Sequence, residues 1–100
     1  MQVSYVKDDI AFRDYDDIVV VYNLKNGAII TLENVAADIW RYLSSGVHAT
    51  VNSIAENIAE IYDCRFEDVV DDIAQFVDEL YSSGIVQING NYYITEGANP

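Results

Sequence analysis

Apolar positions recur at three- and four-residue steps through the stretch FEDVVDDIAQFVDELYSSGIV, residues 66–86. Phe66, Val69, Val70, Ile73, Phe76, Val77, Leu80 and Tyr81 fall along one side of an α-helix at that spacing. Acidic residues and Gln75 occupy most of the other side. Ser82, Ser83 and Gly84 predict the end of the helix, with Gly84 able to take the left-handed conformation. The stripe is wider than a single neighbour needs. It predicts two or more packing partners and leaves room for one from outside the chain.

The pattern before this helix changes period twice. Ile10 to Arg13 predicts a short strand, closed by the polar run Asp14 to Asp17. Ile18 to Leu24, rich in β-branched residues, predicts a central strand. Asn26-Gly27 is a hairpin signal, because both residue types tolerate positive φ. Ala28 to Leu32 then returns as the partner strand. From Leu32 to Leu43 the spacing of Val35, Ala36, Ile39, Trp40 and Leu43 predicts a first helix, with Thr31 as a possible cap. Thr50 caps a second helix whose apolar side is Val51, Ile54, Ala55, Ile58, Ile61 and Tyr62. The short link Asp63-Cys64-Arg65 makes the second and third helices a crossed or antiparallel pair. Beyond the third, Ile85 to Ile88 and Tyr92 to Thr95 flank Asn89-Gly90-Asn91 and predict a terminal hairpin. The fold class is therefore α+β: a winged helix-turn-helix with an N-terminal antiparallel sheet of two to three strands, three helices and a C-terminal β-hairpin. The length suits one domain over residues 1–100, with a core at about 10–95 and flexible termini.

Composition narrows the function. Seventeen acidic and five basic residues leave a formal net charge of -12. A phosphate backbone needs a basic footprint, so nucleic acid is disfavoured, and so are anionic membranes. The charge reads first as a source of solubility, and beside that as long-range attraction for a basic peptide or protein partner. Residues 56–79 hold nine of the acids and a single base, Arg65. No run approaches the roughly 18 apolar residues of a membrane helix, and the start lacks signal-peptide character. A cytoplasmic location is the expectation.

Candidate chemistry is sparse. His48 is the only histidine and falls in a loop. Cys64, the only cysteine, has no positioned base and reads as a small buried or half-buried side chain. Asp68, Asp71 and Asp72 lack the ligand spacing of a calcium loop. Trp40 sits on an apolar stripe and reads as a core anchor rather than a ligand-pocket aromatic. No catalytic residue, metal site or cofactor is expected. What remains is an edge: Ala28, Ile29, Ile30, Thr31 and Leu32 carry no proline or charge that would blunt it. Such an edge can accept an extended peptide through backbone hydrogen bonds. Beside the third helix it would form a groove, whose acidic rim favours Lys or Arg in the guest.

At this point the chain resembles the PqqD-like family, also called RiPP recognition elements. The resemblance rests on Asn26-Gly27 and the following strand, on LENVAADIW (32–40), on SIAENIAEIY (53–62) and on DDIAQFVDELYSSGIV (71–86). It implies a non-catalytic domain that binds the leader of a ribosomally made precursor peptide. The leader would pair beside Ala28 to Leu32 and lie against Val69, Asp72, Ile73 and Phe76 of the third helix. The domain would present it to a modifying enzyme: a radical iron–sulfur enzyme, a cyclodehydratase, or a leader peptidase with its cyclase. Three positions depart from the family pattern. Glu33 replaces a frequent asparagine before the first helix, Arg65 replaces a capping aspartate before the third, and the terminal ribbon is longer than a minimal member needs. The alternative is a winged-helix interaction or regulatory module that forms a homodimer through the same edge.

Overall fold

The structure, a computed structural model, describes residues 2–89. Its elements run β1 (Gln2–Tyr5), β2 (Ile10–Asp14), β3 (Ile18–Asn23), β4 (Ile29–Glu33), α1 (Asn34–Leu43), α2 (Val51–Ile61), α3 (Phe66–Ser82) and β5 (Val86–Asn89). β2, β3 and β4 form one antiparallel sheet in that order, with β4 at an edge. Strict alternation in β3 buries Val19 and Val21 on the helical side. Leu32 of β4 joins them, opposite Val19.

The expected hairpin forms, with a longer turn than Asn-Gly alone implies. Asn23 donates its N–H to the Ala28 carbonyl at 2.8 Å, and Gly27 donates back to the Asn23 carbonyl at 2.8 Å. Only Gly27 takes positive φ, at 78°; Asn26 instead accepts the Ala28 N–H on its side-chain oxygen at 2.9 Å. Ala28 thus precedes the strand, which begins at Ile29. The strand also holds on longer than the apolar periodicity suggests. Leu32 and Glu33 remain extended, and α1 starts at Asn34 without any side-chain cap, so Thr31 is not its cap. Asn34 makes the sharp turn from strand to helix at φ 54°.

The helices pack as the connections dictate. Thr50 and Ser53 form a reciprocal capping box at the start of α2, with bonds of 3.0 and 2.8 Å. α2 and α3 pair directly, and α1 packs on β3 and β4. In α3 only Ile73, Val77 and Leu80 are buried; Phe66, Val69, Val70 and Phe76 are half-buried and Tyr81 is exposed. Ile85 donates to the Leu80 carbonyl and Gly84 to that of Tyr81, a Schellman ending with Gly84 at φ 76°. Arg65 precedes α3 without capping it, and its guanidinium reaches Asp68 at 3.2 Å.

Trp40 is fully buried and meets Tyr5 and Phe12 with ring centroids 5.7 and 5.4 Å away. It is a core anchor, and its indole N–H meets no acceptor among the described residues. Ile61 and Tyr62, expected on the buried side of α2, are 53% and 42% exposed. Cys64 is likewise exposed rather than buried, because it follows the end of α2 on the outside of the turn.

The largest departure is β1. It pairs antiparallel with β5, Val3 opposite Ile88 and Tyr5 opposite Val86, in a second sheet of two strands. The first arm of the expected terminal hairpin is therefore β5, joined to the start of the chain. The second arm, Tyr92 to Thr95, lies outside the described residues.

Candidate functional site

Antiparallel pairing fixes which backbone groups of β4 are free. The Asn23–Ala28 bond closes the ladder at the turn. Alternation then makes Val21–Ile30 and Val19–Leu32 the hydrogen-bonded pairs. The N–H and C=O groups of Ile29 and Thr31 and the N–H of Glu33 face the open edge, where no further strand lies among the described residues; the Glu33 carbonyl is taken by the first turn of α1. Side chains alternate the other way. Ile30 and Leu32 turn toward the helices, while Ile29, Thr31 and Glu33 are exposed.

Two depressions stand out, one of them at this strand. One, of about 340 Å³, opens between α1 and α3 and is lined by Val35, Ala36, Ile39, Val69, Asp72, Ile73 and Phe76. The other, of about 270 Å³, lies at the start of β4, with Ile30, Ala28 and Val21 on the sheet side and Ser83 and Ile85 after α3. Asn23 ties that end together. Its amide donates to the Ser83 carbonyl at 3.4 Å and its side-chain oxygen accepts the Lys25 N–H at 3.0 Å.

All four helical residues expected at the site, Val69, Asp72, Ile73 and Phe76, converge on the larger depression. On the strand, Ala28 and Ile30 line the smaller one, and Ile29 and Thr31 supply edge backbone. Leu32 is buried in the core and offers no side chain to a guest. The sequence reading missed the contribution of α1. The spacing of Val35 and Ala36 predicts core stripe, yet Val35 is 39% exposed at the mouth of the cleft. Asn23 was missed too; an asparagine before a turn gives no hint of a partner after α3.

Charge is organised on a neighbouring surface. Arg41 of α1 grips Asp14 with bonds of 2.8 and 3.0 Å, donates to the Asp16 carbonyl at 2.6 Å and pairs with Asp38 at 3.0 Å. Asp38 in turn accepts the Tyr62 hydroxyl at 2.6 Å. The Arg41 hydrogen bonds, helped by the Asp16 N–H, hold the Asp14 carboxyl below its usual range. The bond to Asp38, then burial, raise the Tyr62 phenol above its own. This network locks the β2–β3 turn to α1 and the end of α2. Among the described residues no three His, Cys, Asp or Glu side chains gather as for a metal ion. No helix among them is long and apolar enough to cross a membrane.

Comparisons with known proteins agree with this architecture. The family described as coenzyme PQQ synthesis protein D (PqqD) matches residues 19–86. A solved structure, "TbiB1 in Complex with the TbiA(beta) Leader Peptide", superposes with a TM-score of 0.76 at 24% identity. It covers 90% of this chain and 99% of the other. The search of curated protein sequences found no match.

Proposed function

The chain belongs to the PqqD family, and from that premise we propose that it recognises the leader segment of a ribosomally synthesised precursor peptide by strand addition. The observation that carries this reading is the open edge of β4, a strand that runs directly into α1, one wall of the apolar cleft between α1 and α3. A guest strand beside β4 would bond to Ile29, Thr31 and Glu33 and turn alternate side chains into the depressions. TbiB1, which shares the fold, was solved with a leader peptide, and this supports the same class of guest here.

The domain contributes no reaction of its own in this reading. It holds the precursor and raises its concentration at a modifying enzyme, whose chemistry acts on the downstream segment. Candidates are a radical iron–sulfur enzyme, a cyclodehydratase, or a leader peptidase with its cyclase. The cytoplasm, where precursors are made, is the expected location.

Titration with leaders of precursors encoded beside this gene tests the proposal, read by backbone amide shifts. Large shifts at Ile29, Thr31 and Glu33 are expected. If every such leader leaves these amides unmoved, strand addition here is wrong. The same edge could pair two copies of the chain; sedimentation showing a tight dimer that peptide does not dissociate would favour that second reading.

A further inference from the structure

We propose that the cleft between α1 and α3 takes a basic side chain of the guest, arginine above lysine, with Asp72 as its counter-ion. The inference rests on the leader-binding reading and names the residue class that reading leaves open. Six of the seven residues lining the cleft are apolar, and the seventh is Asp72. Asp14, Asp38 and Asp68 each hold an arginine of the chain. Asp72 has no hydrogen-bonding or ionic partner among the described residues. It stands one turn before Phe76 on the same helical face.

These walls suit an aliphatic stem with a cationic end better than a wholly apolar side chain. An apolar guest seated there would strip water from the carboxylate and return nothing. A long basic side chain lays its methylenes on Val35, Ile39 and Val69 and brings its charge to Asp72. Arginine fits better than lysine. Its planar fork matches a carboxylate with two hydrogen bonds, and its face stacks on an aromatic ring such as Phe76. The net charge of -12 draws such a peptide in from a distance.

The test is selection of a displayed library of random peptides on the whole chain and on Asp72→Asn, Asp72→Lys and Thr31→Pro. Asp72 is exposed, so its variants should keep the native thermal midpoint. The parent chain should enrich peptides with a basic residue at one fixed position. Replacing that residue by leucine should weaken binding about tenfold or more to the parent and little to Asp72→Asn. Asp72→Lys should select an acidic residue there instead. Peptides that protect the Ile29, Thr31 and Glu33 amides from exchange, and fail on Thr31→Pro, yet show no basic position, would overturn the assignment of the cleft while leaving strand addition intact. Peptides indifferent to both the edge and Asp72 would remove the leader-binding reading, and this inference with it.

Discussion

Asp63 ends α2 at φ 52°, and the Cys64 N–H reaches back to the Ala59 carbonyl at 3.0 Å. That is a Schellman turn made without glycine. Asp63→Gly should therefore stabilise the domain by about 0.5–1 kcal/mol, measured by denaturant unfolding. The Arg41 cluster makes a different prediction. The Asp14 carboxyl is held below its usual range, so its contribution is present at neutral pH. That contribution is lost as pH falls through the depressed value, where the native carboxylate takes up its proton. Arg41→Gln should lose stability at neutral pH and show a flatter acid limb. Tyr62 runs the opposite way: its raised phenol keeps the bond to Asp38 until alkaline pH, and Tyr62→Phe should flatten the alkaline limb. Melting temperatures across pH for the three proteins check both signs.

Among the elements, those with a local signal were legible. The periodicity of α3, its stop at Gly84 and the Thr50 cap all depend on neighbours within one turn. Thr50→Ala should cost about 1 kcal/mol by breaking the box with Ser53. Gly84→Ala should cost a similar amount, about 1 kcal/mol, although a Cβ there meets nothing closer than Asn23 Nδ2 at 3.9 Å. The penalty is in the backbone, not in crowding, and thermal unfolding would measure it. The β1–β5 ladder left no such trace. Four-residue strands carry little alternation, and Ser4 and Gln87, which bond across it, are 83 residues apart. The start of α1 differs from the periodicity for a related reason. Leu32 fits the helical stripe, but pairing with Val19 outweighs that periodicity. At the proposed site, the open edge of β4 follows from the hairpin pattern, and the face of α3 from the resemblance. The α1 wall did not, because apolar residues on a helix look the same whether they meet their own chain or a guest.

For the molecule as a whole, charge and shape act together. Acids crowd residues 56–79, and α3 brings one of them, Asp72, to the cleft. Binding of a basic guest should weaken severalfold between about 0.1 and 1 M salt, where the screening length shrinks from about 10 to about 3 Å. Stopped-flow mixing should place most of that change in the association rate. Salt-independent association would mean that the field plays no part in capture.

The β1–β5 ladder has a last consequence. It sets Gln2 opposite Asn89, so the two ends of the described residues lie side by side. Neighbouring strands stand about 5 Å apart, close to the gap between the two sides of a surface loop. A module with such closely spaced ends works as a cassette. Residues 2–89 spliced into an exposed loop of an unrelated enzyme should fold without stretching the host, and would carry the β4 edge with them as a portable docking port.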